Sequence, residues 1–459
     1  MGPIRPATMR RRHFLACAAA ALSAGVALPR ATIAAAPRGR PPRILLRPGT
    51  AQHGNIGDIA HSPGALVLFE RHFPEAEFSL WPVAISPEAR DSLQQRFPRL
   101  RIVEGELDRS GRPTTPELRA AWDEADLLLH GSSPGFKGDA YMPAWRAASR
   151  KPYGIFGMTD DPVSSITTRP EGGTLAELRG VIAALPAGHL RASKHATLSG
   201  AAFIFCRETL TAEYLRAQRV TSPVIEFGPD ATFALQLRDD ARAEAYLRAS
   251  GLEPGKFLCV IPRLRYTPYY QIQGKPPTAG DLAKDAVNDR ATARDHAKLR
   301  ELIVAYVRQT GQKVLACPEM RYQLPLAKEQ LVDPLPDDVR RRVVWRDTYW
   351  LPTEAASVYA RALAVVSFEC HSPIIALTNG TPAFYVRQPT DTIKGQMYHD
   401  IGVSDWTAEV DETSGPALWS RLKAIHSDPA QARARVREVM ARVAGVQRRM
   451  VEGVRDALR

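Results

Sequence analysis

Glu369, Cys370, His371 and Ser372 stand in a row after the apolar, partly β-branched run Ala364 to Phe368, and Pro373 follows them. A carboxyl, a thiol, an imidazole and a hydroxyl in that order offer acid–base or nucleophilic chemistry, and histidine is the side chain that ordinarily titrates nearest neutrality. A short apolar run of this kind suits a strand covered on both faces, so the polar residues fall at its carboxyl end, where open α/β sheets bind ligands. Pro373 suits the first turn of a helix, whose backbone N–H groups would then begin beside His371 and favour an anion. A packing histidine is the competing reading of His371, and the strand-end position favours chemistry. For Cys370 the bland reading wins, because adjacent residues point apart along an extended chain and a thiol there is commonly just buried.

Such a row needs a sheet to hold it. From Arg43 onward, short apolar runs alternate with longer amphipathic stretches, the pattern of βα units that build mainly parallel sheets. Strands are predicted at Ile44 to Arg47, Glu77 to Pro82, Arg101 to Glu104, Leu127 to His130, Tyr153 to Gly157, Phe203 to Arg207 and Val224 to Phe227. A charged helix from Asp239 to Ser250 ends at Gly251, and the alternation then restarts at Phe257 to Ile261, Lys313 to Ala316, Val343 to Arg346, Ala364 to Phe368 and Ala383 to Val386. Two similar halves follow, 37–250 and 251–415, with helices at 416–459 packing back on the body. The proline- and tyrosine-rich stretch Arg265 to Asp289 reads as a long surface loop of the kind that serves as a lid.

Other residues extend the site. Pro48 to Asp58 reads P-G-T-A-Q-H-G-N-I-G-D after the first strand, where glycines allow close backbone approach and Asn55 and Asp58 brace the turn or bind a hydroxyl. It is not the G-x-G-x-x-G of a dinucleotide site, and a bracing turn without a ligand is an equal reading. Arg207 and Glu208 read equally as substrate binders or as an ion pair within the chain. Arg263 follows a strand in a loop, which favours anion binding. His53, His61 and His195 lack metal-ligand spacing such as H-E-x-x-H, so no metal is expected.

Taken in order, G-N-I-G-D, F-C-R-E (Phe205 to Glu208), G-P-D (Gly228 to Asp230), S-F-E-C-H-S and the downstream G-T-P resemble the polysaccharide pyruvyl transferase family, over roughly Ile44 to Val403. The resemblance implies two Rossmann-like domains facing an interdomain cleft, a GT-B-like arrangement. It also implies transfer of a pyruvyl group from phosphoenolpyruvate onto two sugar hydroxyls as a cyclic ketal, with no further cofactor and a sugar or polysaccharide as acceptor. A carboxylate and a phosphate on one donor call for Arg or Lys, and Arg207, Arg263 and Lys394 are the candidates. His371 is carried over as general acid, with Ser372 beside it to hold the phosphate. The segment His130 to Phe136, H-G-S-S-P-G-F, departs from the glycine-rich turn of relatives and would reshape the acceptor side.

Bulk properties bound the rest. With 459 residues, 44% hydrophobic and 24% charged, the chain is long enough for two globular cores. The first 36 residues stand apart: Arg10, Arg11 and Arg12 precede an apolar run to Leu28 and an A-x-A-like end at Ala34 to Ala36, the pattern of a twin-arginine export signal and a periplasmic address. Removing it takes five arginines and lowers the formal charge from +12 to +7. That charge is spread without a Lys-rich run, so nucleic acid is not an expected partner, and no later stretch is apolar enough to cross a bilayer. Cys206, Cys259, Cys317 and Cys370 form no C-x-x-C pair and read as buried free thiols. An exported glycan-binding or glycan-modifying protein that kept the fold without phosphoenolpyruvate chemistry is the alternative reading.

Overall fold

The computed structural model describes residues 39–459, and the expected export signal at 1–36 lies outside the described residues. Two all-parallel sheets organise the chain. The first holds β1 (Arg43–Arg47), β2 (Glu77–Leu80), β3 (Arg101–Ile102), β4 (Leu127–His130), β5 (Tyr153–Met158), β6 (Ile204–Cys206) and β7 (Ile225–Phe227), in the order β3-β2-β1-β4-β5-β6-β7. The second holds β8 (Phe257–Ile261), β9 (Lys313–Ala316), β10 (Val343–Trp345), β11 (Ala364–Ser367), β12 (Ala383–Arg387) and β13 (Thr407–Glu409), in the order β10-β9-β8-β11-β12-β13. Strands β4, β5, β8, β11 and β12 are buried along their whole length, which is why they read as unbroken apolar runs rather than alternating ones.

Strand order reverses between β1 and β4 in one sheet and between β8 and β11 in the other. Loops leaving neighbouring strands at such a point run to opposite faces and leave a crevice at the carboxyl ends. The G-N-I-G-D turn follows β1, Arg263 follows β8, and the Glu369 to Ser372 row follows β11, so the topology puts all three at a crevice mouth.

The two sheets are joined directly across that mouth. Ile56 N–H donates to the Glu319 carbonyl and Arg321 N–H to the Gly54 carbonyl, both at 3.0 Å. Further contacts join the halves: Asp161 accepts from Ile393 N–H at 2.9 Å, and Asp400 accepts from the N–H and hydroxyl of Thr209. The C-terminal helix Pro429–Asp456 spans both halves, with Val436, Val439 and Val443 in the core around the second sheet and Met450, Val451 and Val454 in a core of the first.

Two elements differ from the sequence reading. The stretch read as a loop to Asp289 contains a one-turn helix, Tyr269–Ile272, and then a 32-residue helix that already starts at Ala279. Thr278 caps it reciprocally with Asp281, and its first turns are exposed and polar, so no apolar stripe marks them. Strand β13 was not expected, because Thr407–Glu409 is short, half-buried and lacks an apolar run. All four described cysteines are buried and unpaired.

Candidate active site

At the mouth of the crevice the helix His371–Thr378 begins directly at the end of β11. The Ser372 N–H in its first turn, expected to meet an external anion, is met by the chain itself. Glu319, at the carboxyl end of β9, accepts from Ser372 N–H at 2.6 Å and from the Ser372 hydroxyl at 2.7 Å. The Ser372 hydroxyl also accepts from Tyr359, and the residue is wholly buried, so it holds Glu319 and has no free edge for a phosphate. That corrects the role expected of Ser372. A carboxylate satisfies a helix N-terminus as well as a substrate anion does, and sequence spacing cannot say which will arrive.

The other oxygen of Glu319 lies 3.3 Å from Nδ1 of His371. On its far edge His371 presents Nε2 to Nε2 of His61 at 3.3 Å and to Asp230 Oδ2 at 3.8 Å. His61 lies 3.2 Å from the same Asp230 oxygen, and Thr50 meets its other nitrogen. Burial works against a charged imidazole, yet contact with Asp230 and Glu319 outweighs it and pushes His371 up to about 9. His371 is therefore an imidazolium at neutral pH. Burial likewise opposes ionised Asp230, and the two imidazoles and Arg207 overcome it and hold that carboxyl well below its ordinary value.

Arg207 sits below this group. It is fully buried, with Nη1 2.7 Å from Asp230 Oδ2 and both Nε and Nη2 donating to the Thr159 hydroxyl. Neither reading offered by the sequence holds for it: its carboxylate partner is Asp230 of G-P-D rather than Glu208, and its donors are occupied beneath the site. Glu208 accepts instead from Thr159 and Thr211 and is pushed up to about 7 by burial.

The ligand atoms of His61, Asp230 and His371 all lie within 4.8 Å of one another, a spacing compatible with a cation. The Asp230 oxygen that faces both imidazoles is nevertheless the one that Arg207 occupies, so a fixed guanidinium already supplies the positive charge there. The arrangement is a buried ion-pair chain, Arg207 to Asp230 to His371 to Glu319, with two cations against two carboxylates.

A second charged group flanks the first. Arg263 places Nη1 2.7 Å from Asp391 and Nε 3.3 Å from Glu369, and Lys394 Nζ lies 3.1 Å from the same Asp391 oxygen. Burial lifts Glu369 to about 7, opposed by Arg263. Gln323 links the groups, accepting from the N–H groups of Glu319 and Met320 and donating to Glu369 at 2.7 Å. Facing them from the first sheet, Asn55 caps the helix Ile56–His72 by accepting from Gly57 N–H and Asp58 N–H, so its side chain braces the turn. Asp58 is partly exposed and sits within the fields of His61, His371, Glu319 and Lys394, and burial raises it above its ordinary value.

Gly57 shows what the glycines of this turn are for. A Cβ added there would fall 2.3 Å from the His371 ring, so a glycine is needed for the helix start to approach that imidazole, rather than for a ligand to approach the backbone. His130, expected on the acceptor side, is wholly buried between Tyr141 and Ser133 and lowered to about 3 by burial, which makes it a neutral core residue. Cys370 is buried and pushed up to about 12, so no thiolate forms there.

Asn55, Asp58, Arg263, His371, Ser372 and Lys394 thus meet at one crevice, with Arg207 underneath. Sequence reasoning assigned no role to Glu319 or Asp391 and left Asp230 as an unexplained part of G-P-D. All three stand at or just beyond strand ends, and the only signal available for them was that position.

The sequence profile of the family described as polysaccharide pyruvyl transferase matches residues 55–388, from the capping Asn55 through the last strand of the crevice. The chain belongs to that family. No curated protein matches it by sequence. Among solved structures it is similar to Staphylococcus aureus MnaA with UDP, at 11% identity over 85% of this chain and 90% of that one with a TM-score of 0.51. It is also similar to UDP-GlcNAc 2-epimerase from Neisseria meningitidis bound to UDP-GlcNAc, at 10% identity over 90% and 100% with a TM-score of 0.50. Anabaena Alr3699/HepE with UDP-glucose gives 12%, 90%, 99% and 0.50. At such identities the likeness is one of fold, the two-domain GT-B arrangement expected from the sequence. Among the described residues no helix is long and apolar enough to cross a membrane.

Proposed function

We propose that this member of the polysaccharide pyruvyl transferase family moves a pyruvyl group from phosphoenolpyruvate to two hydroxyls of a sugar, forming a cyclic ketal. The observation that carries the reading is the placement of His371 between Glu319 and Asp230, two carboxylates that favour its protonated form, at the reversal point of the second sheet. Both contacts at Nε2 are long, so this nitrogen can give up its proton to a bound donor.

The proton goes to the methylene carbon of phosphoenolpyruvate, which becomes a methyl group and leaves positive character on the neighbouring carbon. A sugar hydroxyl attacks that carbon and loses its proton to Asp58, the partly exposed carboxylate facing His371. Phosphate then leaves, the second hydroxyl attacks the same carbon and gives its proton to the departing phosphate, and the proton held by Asp58 passes back to His371 by way of solvent. Arg263 and Lys394 supply the positive charge for the carboxylate and phosphate, and Asp391 and Glu369 hold them in place until the donor arrives. Arg207 and Ser372 act indirectly by fixing Asp230 and Glu319.

The test is phosphate release from phosphoenolpyruvate with and without glycan, alongside thermal denaturation in millimolar phosphoenolpyruvate. Acceptor-dependent release and a raised melting temperature are expected. Neither effect in the purified chain would remove the donor and leave a glycan-binding protein. We further propose export by the twin-arginine route, on the strength of Arg10 to Arg12 and the apolar run after them. Replacing Arg11 and Arg12 by lysine is expected to hold the precursor in the cytoplasm, and unchanged export would end that reading.

A further inference from the structure

Where the two halves clasp each other lies a cavity of about 480 Å³, lined by none of Asp58, Arg263, His371 and Lys394. The first half supplies the helix Leu175–Ala183 with Arg179, and the second supplies β12, β13 and the helix Gly415–Ser427, with Arg387 and Arg421. The clasp is made by direct hydrogen bonds. Glu409 accepts from Leu175 N–H at 2.9 Å through one oxygen and from Arg387 Nη1 at 2.9 Å through the other, and Arg387 also donates to the Gly173 carbonyl at 2.9 Å.

Three features mark this cavity as an anion site. Arg179 and Arg421 line it from opposite halves, both exposed, and neither pairs with a carboxylate among the described residues. Arg179 donates once, to the Gln396 side chain at 2.7 Å, and Arg421 once, to the Thr407 carbonyl at 2.6 Å. A guanidinium carries five N–H donors in a planar fork, so each keeps most of its donors free. The wall between them holds two buried polar atoms without a partner, Nε of Arg387 and the hydroxyl of Thr413, an arrangement that ordinarily calls for a ligand group or water. The acids of the wall do not cancel this charge. Glu409 is taken up by Arg387 and Leu175 N–H, which leaves Glu412 alone against two free guanidiniums.

The geometry selects among anions. A phosphoryl group spreads three oxygens around a tetrahedron, so forks arriving from two sides can both bind it, whereas a flat carboxylate offers one edge to one fork. Small-molecule pockets run from about 300 to 1,000 Å³, so the cavity admits a phosphorylated molecule of modest size as well as the free ion.

We infer that this cavity is a second anion site, separate from the crevice, which takes a phosphoryl group between Arg179 and Arg421 and so ties the two halves together. It lies one link from the crevice, because Arg387 Nη2 donates to the Asp391 carbonyl at 2.7 Å and the Asp391 carboxylate holds Arg263 and Lys394. Nothing in the site requires pyruvyl transfer.

The full chain is titrated calorimetrically at fixed ionic strength with inorganic phosphate, pyrophosphate and glucose 6-phosphate. The same titrations are made on Arg179→Gln, Arg421→Gln, Lys394→Met and Arg437→Gln, and melting curves show that each variant is folded. Arg437 is an exposed arginine outside the cavity, and Lys394→Met removes a cation of the crevice. A charge-assisted contact is worth about tenfold or more in affinity, so Arg179→Gln and Arg421→Gln should each weaken the best probe by at least about tenfold. Lys394→Met and Arg437→Gln should bind it as the parent does. Preference for glucose 6-phosphate over the inorganic ions would identify the phosphoryl end of a metabolite as the ligand, and the reverse order the free ion. Loss in only one of Arg179→Gln and Arg421→Gln would overturn the bridge between halves. Loss in Lys394→Met with none in those two would place the anion in the crevice, an equal loss in Arg437→Gln would reduce the effect to overall charge, and binding of none of the three probes would end the site; each of these results overturns the inference.

Discussion

Nδ1 of His371 lies 3.3 Å from one oxygen of Glu319, while the other oxygen of that carboxylate takes the N–H and hydroxyl of Ser372. One acidic residue therefore meets a helix N-terminus and keeps an imidazole charged, and the first of these tasks is the one the sequence left to an external anion. Opposite charge at this range raises an imidazole by about 1–3 pH units. Glu319→Gln is expected to move the alkaline limb of the pH–rate profile, set by His371 at about 9, downward by about one unit or more. A limb that stays in place would remove Glu319 from the control of His371.

His371→Gln keeps a hydrogen-bonding side chain and removes the titratable proton. General acid catalysis contributes about 10²–10⁴ in rate, so turnover should fall within that range. Stabilisation by phosphoenolpyruvate should change far less, since Arg263 and Lys394 carry the anion contacts. Equal losses in turnover and donor affinity would assign His371 to binding.

Much of this scaffold was legible because its strands are buried on both faces. Each of the twelve expected strands coincides with one observed, and β13 was invisible because Thr407–Glu409 holds a single small apolar residue, Ala408, between two polar ones. The site was legible only in part. His371 could be found by its position after β11, and Asp58 by its turn. Arg207 and Ser372 were misjudged because their partners, Asp230 and Glu319, lie 23 and 53 residues away, and local chemistry cannot show that a polar group is already satisfied. Gly57 carried the same ambiguity: a glycine signals close approach without saying by what.

Gly57→Ala tests which reading of that glycine is right. The added methyl would overlap the His371 ring, so either the helix start or the imidazole must move. Overpacking of this kind costs about 1–3 kcal/mol, and the shift should also lower turnover by an order of magnitude or more. Urea denaturation and steady-state rates measure the two effects. A variant as stable and active as the parent would show that the contact is slack.

Arg207→Met leaves Asp230 buried without its guanidinium, and breaking such a pair costs about 3–5 kcal/mol. Arg207→Lys keeps the charge but cannot reach Thr159 and Asp230 together, so it too should lose stability. Both losses are read from denaturant midpoints. If Arg207→Lys keeps full stability and instead weakens phosphoenolpyruvate binding, Arg207 contacts the donor after all.

The pH dependence of stability separates His371 from the buried glutamates. His371 binds its proton more tightly folded, at about 9, than at its ordinary 6.5. Its contribution is therefore complete below pH 6.5 and is lost as pH rises through 9, with a ceiling of about 3 kcal/mol. Glu208 and Glu369 are also raised, to about 7, so the folded state again holds the extra proton and stability falls as pH rises, but between their ordinary 4.5 and about 7. The windows scarcely overlap. In His371→Gln the decline between pH 7 and 9 should vanish while the decline between 4.5 and 7 persists, as measured by urea midpoints across that range. A parent whose stability is flat from 7 to 9 would mean that His371 is not held as an imidazolium, and the proton source proposed for ketal formation would have to be sought elsewhere, with Glu369 the nearest buried acid able to carry a proton at neutral pH.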